Sequence, residues 1–298
     1  MQPLYLKTHK ESKLKEKIKI LKDMLSCCTL CPRKCKVNRL KGEKGFCHAG
    51  KEAKVSSAFA HFGEEACLVG SFGSGTIFFA HCNLRCVFCQ NYEISHLEEG
   101  KLISKDELAD CMLKLQSIGC HNINLVTPTH FVPQILEALE VAIEKGLSLP
   151  LVYNCGGYES EEVIEILEGV IDIYMPDAKF SSQVVSEKFC HAKDYFENLK
   201  KVLKIMHKQV GDLKIEDGIA QRGLLIRHLV MPNDLSGTKE IMEFIAKEIS
   251  LDSYINIMAQ YRPYGQAYKF PEINRKITYD EYERAKEIAR SFGLYRFD

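Results

Sequence analysis

From residue 76 onward the chain alternates short apolar runs with longer segments in which apolar residues recur every three or four positions. The runs are Thr76–Ala80, Ile123–Val126, Leu149–Tyr153, Ile171–Met175, Leu224–Val230 and Tyr254–Ala259. Each is of strand length, several are rich in Ile and Val, and most run straight into turn residues. The segments between them, Lys105–Ile118, Pro133–Lys145, Ser160–Leu167, Lys193–Val210 and Thr238–Ile249, carry helical periodicity, and Tyr279–Phe292 adds a last helix. This alternation predicts an α/β fold of parallel strands joined by right-handed crossovers. Six such units suit a partial barrel or a doubly wound sheet, and spacing does not separate the two.

A different pattern precedes the alternation. Between residues 9 and 25, Leu14, Ile18, Leu21 and Leu25 fall on one face of an amphipathic helix. A stretch rich in cysteine follows, from Cys27 to about Gly50. The expected organisation is an N-terminal helix and cysteine-rich module over residues 1–60, then the α/β unit over 61–298.

Parallel α/β folds gather their chemistry at the carboxyl ends of the strands. The residues expected there include His81-Cys82, Thr127-Pro128-Thr129-His130, Asn154-Cys155-Gly156-Gly157, Asp177-Ala178-Lys179 and Gln260-Tyr261-Arg262. That is a strongly polar rim.

Composition narrows the partners. Lys plus Arg and Asp plus Glu both number 40, so the formal charge is zero. A general nucleic-acid binder needs a basic excess, which excludes nucleic acid as the expected partner. No run approaches a bilayer span, so no membrane partner is expected either. The charged N-terminus lacks the apolar region of a signal peptide, which predicts a cytoplasmic protein. In a reducing cytosol, 13 cysteines point to metal binding or catalysis rather than to disulfides.

Three of them, Cys82, Cys86 and Cys89, share one loop after the first predicted strand, in GTIFFAHCNLRCVFCQNYEIS. Thiolates this close can converge on one soft metal centre. Structural zinc usually takes four protein ligands. Three leave a position free, unless His81 or a distant residue completes a zinc site.

Cys82-x3-Cys86-x2-Cys89, with Phe88 before the last cysteine, resembles the signature of radical S-adenosylmethionine (SAM) enzymes. The wider segment resembles relatives of the pyruvate formate-lyase activating enzyme, the PflX-like subgroup in particular, from about Cys28 to the C-terminal helix. The resemblance implies a partial (β/α)6 barrel and a 4Fe–4S cluster on the three cysteines, with SAM on its free iron. It also implies reductive cleavage of SAM to methionine and a 5′-deoxyadenosyl radical, and hydrogen abstraction from a substrate. A one-electron reductant such as flavodoxin or ferredoxin would be required.

Further site residues follow, some from the same resemblance and some from the residues themselves. Asp177 and Lys179 match the Asp-x-Lys of the activating enzymes, where both residues reach SAM. Thr127 and Thr129 occupy the place of a Gly-Gly-Glu segment that receives the methionine ammonium. Phe88 could flank the adenine or simply pack in the core. Asn154, before two glycines, suits the ribose. Arg227, inside an apolar strand, is costly to bury without an anion; the SAM carboxylate and an internal Asp are both candidates.

Cys28, Cys31, Cys35 and Cys47 make a second set of four, which suits structural zinc or a fully ligated auxiliary iron–sulfur cluster. Three functional readings remain. They are activation of a glycyl-radical protein, radical modification of a peptide or small metabolite, and a non-catalytic zinc or electron-transfer protein.

Overall fold

The computed structural model describes residues 1–298. The N-terminal amphipathic segment is two helices, α1 (Leu4–Lys10) and α2 (Lys13–Asp23). Ser12, at φ 60°, adopts the left-handed conformation that a continuing helix cannot accept, and so breaks them apart. Leu14, Ile18, Leu21 and Leu25 are buried, as the periodicity predicts. The cysteine-rich stretch has little regular structure beyond a single turn at Arg39–Lys41.

After it come β1 (Ala53–His61), α3 (Ala66–Val69), β2 (Ser74–Phe79), α4 (Tyr92–Ser95), β3 (Lys101–Ile103), α5 (Lys105–Ser117), β4 (Ile123–Val126) and α6 (Val132–Glu144). The chain continues through β5 (Leu151–Cys155), α7 (Glu161–Ile166), β6 (Ile173–Pro176), α8 (Gln183–Cys190), α9 (Tyr195–Val210), β7 (Lys214–Glu216) and β8 (Ile219–Leu229). It closes with α10 (Thr238–Phe244), β9 (Tyr254–Met258), α11 (Tyr279–Ser291) and β10 (Arg296–Phe297). Local signals start several helices cleanly. Ser104 and Thr278 cap α5 and α11, each answered by a glutamate three residues on that bonds back to the cap amide.

All strands join one sheet in the order β10-β9-β8-β6-β5-β4-β2-β1-β3, with β7 paired to β8. The six expected strands are β2, β4, β5, β6, β8 and β9, parallel and adjacent in chain order. Every crossover therefore steps the same way, and right-handed connections then put the helices on one side. The order never reverses, which rules out a doubly wound sheet. The two outermost strands of the path, β10 and β3, do not pair with each other.

Four strands lie outside the expectation. β1 runs antiparallel to β2 and carries β3 on its far side, so the sheet begins before residue 61. β7 is an antiparallel flap on β8, and β10 adds a parallel edge to β9.

The two faces of the sheet differ. Ile77, Leu125, Tyr153, Tyr174, Ile226 and Ile255 point to the helical side, into a core of 69 buried residues. Their neighbours in sequence point the other way. There, Val152, Ile173, Met175 and Leu225 meet Cys67 and Leu68 of α3 in a small second cluster of eight. Beyond this plug the same face becomes polar, with Asn154, Asp177 and Arg227 toward the strands' carboxyl ends. No helix of the chain is long and apolar enough to cross a membrane.

Candidate active site

β2 ends at Phe79, and the chain enters the cysteine loop through His81 at φ 73°. Arg85, at φ 50°, supplies a second left-handed turn. These two bends fold the loop back so that its polar atoms serve its own sulfurs. The Leu84 amide donates to Cys82 Sγ at 3.3 Å, and the Ser95 hydroxyl donates to Cys89 Sγ at 3.2 Å. The Cys89 amide closes a turn on the Cys86 carbonyl.

Cys86 is buried and the other two thiols are partly covered. Burial and the neighbouring thiols push Cys82 up to about 12 and Cys89 up to about 11. The hydrogen bond to Cys190, with burial, raises Cys86 well above the ordinary thiol range. Three thiols so placed do not ionise on their own, because water cannot solvate the charge. A positively charged, sulfur-seeking group would compensate all three at once. The donor set is soft sulfur, furnished with N–H and O–H donors, and it fits an iron–sulfur cluster.

Beside the loop, three strand ends contribute one charged constellation. Arg227 of β8 donates from Nε to Asp177 Oδ1 at 2.8 Å and from Nη2 to Asn154 Oδ1 at 2.7 Å. Lys179 Nζ donates to Asp177 Oδ2 at 2.5 Å. Burial alone would raise the Asp177 carboxyl, but Arg227 and Lys179 override it and hold it below the usual carboxylate range. Of the two anions considered for Arg227, the structure supplies the internal one, Asp177. Glu64 adds a second carboxylate 3.6 Å from Nη1.

The remaining expected residues divide. Thr127, at φ 59°, is a β-branched residue held in the left-handed region, its amide bonded to the Asn154 carbonyl. Such backbone strain clusters at functional sites. Thr129 is not brought to this rim. It is fully buried and its hydroxyl donates to Glu159 Oε1 at 2.8 Å, on the helical side of the sheet. Phe88 packs edge-on against Phe180 and Tyr261, with ring centroids 5.9 Å away in each case, which is the core-packing role. Arg262 and Tyr264 bond Gln90 and Glu93, holding the C-terminal connection over the end of the cysteine loop.

Four participants escaped the sequence reading. Glu64 and Glu65 sit in a polar stretch that reads as surface, yet both side chains are buried on the polar face. Glu65 accepts from Asn256 at 2.9 Å, and burial raises its carboxyl despite the nearby Arg227. Asn124, fully buried in β4, has no partner for either side-chain atom. Cys190 meets Cys86 from α8. Only the expectation of polar residues at the strand ends hinted at any of these.

The family model of the radical SAM superfamily matches residues 76–220, which contain the cysteine loop and its Asp177 and Lys179 neighbours. An uncharacterized protein of Methanocaldococcus jannaschii, MJ0674, is 36% identical over 288 residues, covering 93% of this chain and 78% of that protein. The chain belongs to the radical SAM superfamily. Membership carries with it SAM cleavage at a 4Fe–4S cluster.

Among solved structures, this radical SAM protein is similar to HydG, a maturase of the [FeFe]-hydrogenase, at 14% identity and a TM-score of 0.49. It is similar also to anSMEcpe with bound AdoMet, at 11% identity and a TM-score of 0.48. The alignments cover 72% and 71% of this chain but only 48% and 57% of those chains.

Arg33 ties the N-terminal module of the radical SAM protein to its cysteine loop. Its Nε donates to the Asn83 carbonyl at 2.8 Å, and its other nitrogens reach the carbonyls of Cys190 and His191. The guanidinium lies 3.7 Å over the Phe46 ring. The module is thus fastened to the residue next to Cys82.

Proposed function

We propose that this protein is a radical SAM enzyme of the glycyl-radical-activating kind, built on a partial (β/α)6 barrel and acting on a polypeptide partner. The observation that carries the reading is the meeting of three thiols, one buried and two partly covered, with the Asp177–Lys179–Arg227 constellation at one rim.

Cys82, Cys86 and Cys89 would hold the cluster and leave one iron for SAM. The bound pair supplies a carbon radical able to take a hydrogen atom from an unactivated C–H bond. The chain's own part is to bind, orient and exclude. Lys179 and Arg227 offer cationic partners to the methionine carboxylate, although Asp177 already engages both. Asp177 and Asn154 present oxygens that can accept from an ammonium or a ribose hydroxyl. The Thr127 backbone, turned out of strand geometry, is bonded through its amide to the Asn154 carbonyl at the same strand ends. Phe88 and the aromatic rings around it keep one side of the site apolar.

The resemblance to the activating enzyme of pyruvate formate-lyase supports a glycyl-radical protein as the substrate and flavodoxin or ferredoxin as the reductant. A peptide or small metabolite is the competing substrate class.

The test is an anaerobic assay of reconstituted protein with dithionite and SAM, reading 5′-deoxyadenosine by chromatography. Production that disappears in the Cys82→Ala, Cys86→Ala, Cys89→Ala variant supports the chemistry. A protein that binds no iron on this loop and no SAM would overturn it in favour of a zinc-stabilised binding module. Deuterium carried from a labelled partner glycine into 5′-deoxyadenosine tests the activating role.

A further inference from the structure

The Ser95 hydroxyl, which reaches Cys89 Sγ at 3.2 Å, has a second acceptor: His96 Nδ1 lies 2.8 Å from Ser95 Oγ. The other ring nitrogen decides what Nδ1 can do. Nε2 stands 3.1 Å from the Arg85 carbonyl, which can only accept, so Nε2 carries the ring proton. Burial first, and the charge of Arg85 second, lower the imidazole below its ordinary value, so the ring is neutral at neutral pH. A neutral ring with its proton on Nε2 leaves a bare lone pair on Nδ1. One hydroxyl proton therefore faces two acceptors and serves one at a time.

The ring is held in place from three sides. Tyr92, one turn earlier, stacks on it with centroids 4.2 Å apart and planes 14° from parallel. Gln266 of the C-terminal connection donates to the Tyr92 hydroxyl at 2.9 Å. Gly265, at φ 56°, lets that connection close on Tyr92, since a Cβ there would stand 2.6 Å from the Tyr92 ring. The Arg85 carbonyl belongs to the turn between Cys82 and Cys86, so the loop that presents the sulfurs also orients the imidazole. Ser95 ends α4 and is 5% exposed, which keeps water from competing for its hydroxyl.

Apart from the Cys190 thiol beside Cys86, the other donors on these sulfurs are backbone amides, those of Leu84 and Arg85 on Cys82 and of Asn91 on Cys89. The fold fixes the amides. The Ser95 hydroxyl differs, because its proton turns about the C–O bond without moving a heavy atom. Hydrogen bonds to the sulfurs help set the reduction potential of an iron–sulfur cluster. An added electron makes a ligand sulfur more negative, and so a stronger acceptor.

We propose that Ser95 and His96 are a positioning pair that sets how readily a cluster on the cysteine loop accepts its electron. The hydroxyl proton rests on the Nδ1 lone pair in the oxidised state and swings to Cys89 Sγ when one electron arrives from the reductant. No covalent bond forms or breaks, and the proton stays on Oγ throughout. The swing stabilises the reduced state, and the bond to Nδ1 that it forfeits holds part of that gain back. The inference rests on the cluster reading of Cys82, Cys86 and Cys89, and on nothing about the substrate.

A redox titration of the anaerobically reconstituted full chain, followed by electron paramagnetic resonance, tests it. Ser95→Ala should lower the reduced-to-oxidised ratio at a fixed potential about fivefold, a downward shift of about 40 mV at about 59 mV per tenfold. His96→Phe keeps a ring on Tyr92 but offers no lone pair, so its potential should rise above that of the wild type. Ser95→Thr keeps the hydroxyl and should recover most of the loss. Shifts of one sign in the Ala and Phe variants, or no shift in either, would overturn the proposal, because loosened packing predicts one direction for both. If His96→Phe assembles no cluster, electron–nuclear double resonance of the reduced wild type in D2O decides. It should show an exchangeable deuteron that Ser95→Ala lacks, and identical spectra would overturn the proposal. A wild type without about four irons and four sulfides would sink the cluster reading and this inference with it. A full cluster with unmoved potentials sinks this inference alone.

Discussion

Cys86 and Cys190 bring their sulfurs to 3.1 Å across the junction of the cysteine loop and the end of α8. Cys190 is fully buried, and the chain leaves it through His191 in a left-handed turn. A thiol proposed to hold the cluster thus has a second thiol at contact distance. When iron is stripped and oxygen admitted, the two thiols can each lose a proton and an electron to oxygen and join. The expected product is a Cys86–Cys190 disulfide, seen as a linked peptide by mass spectrometry. Cys190→Ala should abolish it and raise the iron recovered after air exposure several-fold. Linkage of Cys86 to Cys82 or Cys89 instead would contradict the expectation.

Arg227 is one of the two cations that keep the buried Asp177 carboxyl ionised, the other being Lys179. Arg227→Met leaves Asp177 with Lys179 alone and frees the oxygen of Asn154. Removing one partner of a buried pair costs about 3–5 kcal/mol, read as a lower denaturation midpoint in urea. Adding Asp177→Asn to that variant should recover part of the loss, and both variants should lose SAM binding. Additive losses in the double variant would show that the two residues are not energetically coupled.

Glu159 is an acid buried on the helical side with no cation beside it. Thr129 and Tyr153 donate to its carboxylate, yet burial outweighs them and pushes it up to about 7. The folded chain therefore prefers the protonated acid. Its contribution is full below the unfolded value near 4.5 and is lost as pH rises through 7, a change of order 3 kcal/mol. Glu159→Gln should flatten the stability–pH curve over that window, so the variant overtakes the wild type toward pH 8. Parallel curves, measured by urea unfolding at several pH values, would refute the assignment.

Thr127 pays for its place at the rim with a strained backbone. Asparagine tolerates the left-handed region far better than a β-branched residue. Thr127→Asn should stabilise the fold by about 1 kcal/mol while reducing SAM cleavage. A variant less stable than the wild type would mean that the hydroxyl or methyl contributes more than the conformation costs.

The central parallel strands β2, β4, β5 and β6 were legible because they are buried on both faces and read as short, mostly apolar runs, whereas β9 alternates buried and half-exposed residues. β1 was not legible, since AKVSSAFAH is small-residued and half exposed, with a register shift between Val55 and Ser57. The cysteine loop was legible from spacing, because its three cysteines lie within eight residues of one another. Asp177 and Lys179 were legible through the same resemblance. Cys190, Arg33 and Glu64 were not, because their partners are 104, 50 and 163 residues away and nothing local marks them. Thr129 misled because two threonines flank one proline, and only the strained turn at Thr127 decides which of them faces the rim.

The first helices are tied to residues made much later. The Leu4 amide bonds Asp172, the Tyr5 hydroxyl bonds the Leu149 carbonyl, Thr8 bonds the carbonyl of Gly169, and Arg222 reaches Gln2. Some 150 residues must therefore leave the ribosome before the first of these partners of α1 exists, an interval of roughly 10–30 s at ordinary rates of synthesis. Throughout it the four thiols between Cys28 and Cys47 are already outside. Any metal they bind could be acquired while the sheet is still unmade, before Cys190 and Arg227 exist to stand beside the Cys82 loop.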